Sequence, residues 1–204
     1  MRKMTKYDII EFMDSLSKLS DKEIVNFISK KMAFSGHGWE IGPDLENGNT
    51  MTFSISAFGG GDFIDDLEST LELPLFGNGW SVQIGIPPRD WEKYFHYTDF
   101  RDRIHEIEGS RWRFDLINQC NQVKIILYPH PEIDPDIFDD VARILCVGEL
   151  GEKNIIDFVS EIDFLEYTPD NGKPLSHLRK CFLRIFPKCY YKNFLSKEYL
   201  NNFD

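Results

Sequence analysis

The sequence predicts an α+β fold: a central, mainly antiparallel sheet covered by an N-terminal helical hairpin and by C-terminal helices. Three observations lead there. Apolar residues recur at helical spacing towards both ends, they alternate at strand spacing in the middle, and clusters of Gly and Pro separate the segments.

Ile9, Phe12, Met13, Leu16 and Leu19 fall on one helical stripe, with Asp14, Ser15 and Lys18 opposite. Ser20 then opens a second helix. Glu23, three residues on, is spaced to bond back to the free N–H groups at the helix start. Ile24, Phe27, Ile28 and Met32 line its buried face. Residues 35–49 hold Gly36, Gly38, Gly42, Pro43 and Gly48 and read as loop. Met51, Phe53 and Ile55 alternate with Thr52, Ser54 and Ser56, which is strand period. Gly59, Gly60 and Gly61 close that strand, and residues 62–70 read as a short acidic helix. Trp80, Val82, Ile84 and Ile86 alternate until Pro87 and Pro88, which cannot donate to a central ladder.

Residues 91–108 fit helix and strand alike. The clearest hairpin signal follows: Trp112, Phe114 and Leu116 alternate, residues 118–121 can turn, and Val123, Ile125 and Leu127 alternate back. Asp134 and Pro135 make a helix start, carboxylate at the cap and proline in the first turn. Ile137, Val141, Ile144 and Leu145 give that helix a buried stripe, and Gly148 is its expected end. Residues 162–167 read as a strand and residues 169–172 as a turn. A last helix starts near Pro174, puts Leu175, Leu178, Phe182 and Ile185 on one face, and stops at Pro187. No internal repeat or low-complexity linker interrupts the 204 residues, which predicts one globular domain spanning 1–204. Folding a chain of this length buries roughly 70% of the surface its unfolded form exposes.

Apolar residues at 42% and charged residues at 28% match ordinary globular usage, so the chain has the material for a core. Aromatics are high at 14%, rings that mostly mean core, although a surplus can also furnish an interface. The net charge of −11 opposes nucleic acid and anionic membranes, both of which bind through Lys and Arg. It favours a basic partner. Charge is uneven: Lys173, Arg179, Lys180, Arg184, Lys188, Lys192 and Lys197 crowd the last segment, so the remainder is more acidic than the total. The plainer reading of the basic helix is that it packs its apolar face inward with its cations near the acidic body.

The four cysteines, Cys120, Cys146, Cys181 and Cys189, never stand two residues apart, which argues against a zinc clip or redox motif. The basic start, residues 1–6, leads into an amphipathic stretch rather than a signal peptide's apolar core, and no run approaches about 18 apolar residues. A cytoplasmic location with reduced thiols is the expectation.

The densest acidic run is Glu132, Asp134, Asp136, Asp139 and Asp140. Capping accounts for Asp134 and Asp136, since Asp at a helix start complements the helix dipole. Asp139 and Asp140 are left over. A calcium hand fails because glycine and glutamate are missing from the required loop positions. His130, Glu132 and Asp134 alternate and could share one side of an extended segment, where a metal could bind, yet Pro129, Pro131 and Pro135 also make that segment an ordinary connector. A second run, Asp62, Asp65, Asp66, Glu68 and Glu72, follows the three glycines. It lacks a phosphate loop's Lys and Ser/Thr, and its acids would repel phosphate. Ser35 and His37 stand too close in sequence to act as nucleophile and base, and no serine sits in a nucleophile elbow. No cofactor, metal or catalytic set is expected.

In overall character, over the whole chain and without a diagnostic motif, the sequence resembles the immunity proteins of bacterial contact-dependent and polymorphic toxin systems. The resemblance implies a non-enzymatic protein that blocks a cognate toxin, often a basic nuclease, by tight binding. It transfers no site residues. The acids expected to meet such a partner are Asp62, Asp65, Asp66, Asp136, Asp139 and Asp140. Two other readings stand beside it: a metal-dependent hydrolase using the carboxylates of 130–140 with His130, and an anionic mimic of nucleic acid.

Overall fold

The computed structural model describes residues 11, 14–16, 18–32, 38–43, 51–56, 80–165 and 172–189. Helices and sheets are both present, as the α+β reading expects. The chain divides into two compact units, residues 1–86 and 87–204.

In the first unit, helix α1 (Asp21–Met32) buries Ile24, Ile28 and Met32, one residue per turn on a single face. Its start follows the predicted chemistry in part. The Ser20 N–H donates to Glu23 Oε2 at 3.0 Å, but the Ser20 hydroxyl also donates to that carboxylate instead of accepting from the backbone. Three strands form a sheet in the order β1 (Trp39–Pro43), β2 (Met51–Ile55), β3 (Trp80–Ile84). β1 runs antiparallel and β3 parallel to β2. The central strand is buried from Thr52 to Ile55, so its polar alternation does not mark a solvent face. The first helix of the expected hairpin falls largely outside the described residues, as does all of 62–70 with Asp62, Asp65 and Asp66.

The second unit holds two sheets. β4 (Tyr94–Thr98) and β5 (Ile104–Glu108) form an antiparallel ribbon, which resolves the ambiguous segment as strand. The other sheet has the order β8–β7–β6–β9, built from β6 (Arg113–Gln119), β7 (Gln122–Tyr128), β8 (Val159–Phe164) and β9 (Lys173–Pro174). The β6–β7 hairpin turns at Cys120 and Asn121, with Cys120 at a φ of 58°. β8 lies parallel to β7, a pairing that needs a long crossover. Helices α2 (Phe138–Leu150) and α3 (Glu152–Phe158) supply it. Trp112, Phe114, Val123, Ile125, Leu127, Val141 and Leu145 are fully buried and form the core. Each such side chain contributes about 1.5–3 kcal/mol relative to exposure.

Helix α2 does not stop at Gly148. That glycine sits inside the helix under Trp91, whose Cζ2 would lie 2.2 Å from any Cβ placed there. The helix ends at Gly151, which takes a φ of 78°. Its last carbonyls are well used. Arg179 donates from Nε to the Glu149 oxygen at 2.7 Å and from Nη2 to the Gly148 oxygen at 3.1 Å. Arg179 belongs to α4 (Leu178–Ile185), the predicted basic helix, which buries Leu178 and Phe182, with Leu175 buried in the 3₁₀ turn before it. One of its cations thus serves the inside of the unit.

Candidate functional site

Asp134, Asp136 and Asp140 of the acidic run meet side chains of the β4–β5 hairpin, whose turn is held by one carboxylate. Asp99 is 4% exposed. Its Oδ1 accepts from the backbone N–H groups of Arg101 at 2.8 Å and Arg103 at 2.9 Å. Its Oδ2 accepts from Arg103 Nε at 2.6 Å and lies 3.0 Å from His105 Nε2. An ionised carboxylate only accepts, so the His105 proton on that side belongs on Nε2. Burial alone would raise the carboxyl's pKa, but the bonds from His105, the two backbone N–H groups and the Arg103 side chain outweigh it and hold it well below the usual carboxylate range. The turn closes with Asp99 N–H on the Arg103 oxygen, and Asp102 adopts a φ of 59°.

Arg103 reaches on to Asp134 at 3.2 Å, and Arg101 to Asp136 at 3.6 Å. Asp134 caps the 3₁₀ turn Pro135–Ile137 by accepting from the Asp136 N–H at 3.0 Å. Tyr97 donates its hydroxyl to Asp140, and that bond pushes the phenol up to about 12. Glu132 pairs with Arg111 at 3.3 Å. The acidic run is therefore an exposed ledge tied to the hairpin by arginines and a tyrosine. Asp136, Asp139 and Asp140 are all exposed. Asp139 borders an open cleft of about 360 Å³ together with Arg143, Ser160 and Glu161.

The alternation of His130, Glu132 and Asp134 does not bring them to one metal. Arg111 draws Glu132 one way and Arg103 draws Asp134 another, while His130 Nδ1 stays 3.4 Å from Glu132. Among the described residues no three His, Cys, Asp or Glu converge as a ligand set. Burial, with the Glu149 charge adding to it, pushes the Cys146 thiol far up, which leaves it an inert core group. No helix among the described residues is long and apolar enough to cross a membrane. Ser35 and His37 lie outside the described residues.

Sequence reasoning missed the hairpin tip: Asp99, Phe100, Arg101, Arg103 and Ile104. The signal was present as Asp99, Arg101, Asp102 and Arg103, four charges in five residues between the strand segments 94–98 and 104–108. Comparison with protein-family models, with characterised proteins and with solved structures finds no match.

Proposed function

We propose that this protein works by binding a cationic protein and catalyses no reaction, its partner being a toxin whose basic surface it neutralises in a bacterial cytoplasm. The observation that carries the reading is the exposed ledge of Asp136, Asp139 and Asp140 in a chain of net charge −11. Arg101 on Asp136 and the Tyr97 hydroxyl on Asp140 tie it to the hairpin without covering it. Preorganised charge of this kind speeds encounter and selects partners of opposite sign. The arginines on Asp134 and Asp136 also weaken the hydrolase reading, because a guanidinium already occupies the carboxylate edge a divalent ion would need. In this reading the helices and sheets are a scaffold for the binding surface.

The test is co-expression with the products of the genes on either side, followed by binding measurements on the purified proteins. A neighbour that is toxic alone and harmless in the pair is expected. Combined Asp136→Lys, Asp139→Lys and Asp140→Lys should weaken the complex at least about tenfold, since like charges would then face each other. The reading is lost if neither neighbour is toxic nor bound.

A further inference from the structure

The three most exposed large apolar side chains among the described residues sit on one hairpin: Phe100 at 77%, Ile104 at 70% and Tyr94 at 50%. Strand period explains their company. Tyr94 faces Glu108 across the ribbon, His96 faces Glu106 and Thr98 faces Ile104, and all six point away from the core side that takes Phe95, Tyr97 and Ile107. Among the described residues no third strand pairs with this ribbon. Phe100 projects from the tip, with the Arg101 guanidinium 4.7 Å above its ring. Since Asp99 anchors the turn through both of its oxygens, these side chains are displayed on a braced support.

We infer that the exposed face and tip of the β4–β5 hairpin are the surface that engages the cationic partner, with Phe100 and Ile104 entering an apolar pocket and Glu106, Glu108 and Glu132 receiving its Lys or Arg side chains. This rests on the binding function proposed above and moves the main contact off the Asp136–Asp140 ledge. Two features support it. Aromatic and Arg side chains on a rigid support dominate binding energies, because little freedom remains to be lost. Beside Tyr94 lies a recess of about 210 Å³ whose walls include those three glutamates and only one arginine, Arg111. Arg111 already sits 3.8 Å from Glu108 and 3.3 Å from Glu132, so the walls accept a guanidinium and keep carboxylate to spare. A second copy of this chain is the wrong occupant. Its own glutamates would meet these, and each copy carries −11.

The experiment measures affinity for the flanking-gene products, each purified, using three forms of the full chain: parent, Phe100→Ser with Ile104→Ser, and Glu106→Lys with Glu108→Lys. The replaced groups are exposed, so melting should stay within a few degrees of the parent, and circular dichroism checks that each variant is folded. A loss of at least 100-fold for the tip pair and at least tenfold for the glutamate pair is expected. Binding within threefold of the parent for both variants, together with loss on reversing Asp136, Asp139 and Asp140, overturns this surface and leaves the binding function standing. If neither product binds the parent, the function fails and this surface with it. Sedimentation of the parent alone supplies the remaining outcome: a dimer abolished by Phe100→Ser would make the occupant a second copy and overturn the proposal.

Discussion

Asp99 shows how one buried carboxylate can organise a turn. It gives Arg101 and Arg103 an acceptor for their backbone N–H groups, then recruits the Arg103 side chain, which carries the order on to Asp134. None of this was legible in sequence, because most of its partners are N–H groups and side chains that only the turn brings together. Asp134 was legible, since a cap acts on the residues that follow it. The electrostatics of Asp99 have a sign. The folded chain holds its pKa below the ordinary 3.8, so the unfolded chain takes up that proton first. The stabilisation it supplies is complete above about pH 5 and fades as pH falls through the unfolded value towards the lower folded one. Asp99→Asn should therefore be less stable than the parent at pH 7, and the gap should narrow as pH falls from about 5 to 2. Urea midpoints of both proteins across that range decide the matter. A constant gap would mean that shape, not charge, is what the turn requires.

Elements were legible in proportion to the difference between their faces. The β6–β7 hairpin buries Phe114, Val123, Ile125 and Leu127, and its second strand alternates between half-buried and buried from Gln122 to Leu127. The β4–β5 ribbon hid because Tyr94, Phe95 and Tyr97 put aromatic rings on both of its faces, which erases the period. Parallel pairing of β7 with β8 could not be read at all, since alternation fixes a strand's faces but not its neighbours. α3 was missed because it is seven residues long and follows Gly151 without a side-chain cap. Gly148 misled for a packing reason: it is a slot for the Trp91 ring, not a helix end. Gly148→Ala sets two effects against each other. Alanine favours a helix interior by about 1 kcal/mol, while forcing a Cβ into a filled contact costs about 1–3 kcal/mol. Packing should win, with a net loss of up to about 2 kcal/mol read from urea unfolding. A more stable variant would show that Trp91 has room to move.

At the scale of the whole molecule the acidity is not a uniform coat. Of the basic groups near the C-terminal end, Arg179 is engaged on the carbonyls of α2 while Lys173, Arg184 and Lys188 are exposed, and with a net charge of −11 the carboxylates still outnumber the cations. The field of that excess acts over about 10 Å at 0.1 M salt, so it governs how partners meet more than how long they stay together. The exposed apolar tip acts at contact and should govern residence. The two contributions separate in kinetics. Raising salt from about 50 to 500 mM should slow association with a cationic partner at least tenfold and change dissociation less than threefold. Removing Phe100 should do the reverse. Surface plasmon resonance at several salt concentrations, with parent and Phe100→Ser, reads both rates directly. If salt acts mainly on dissociation, charged pairs rather than the apolar tip hold the complex together.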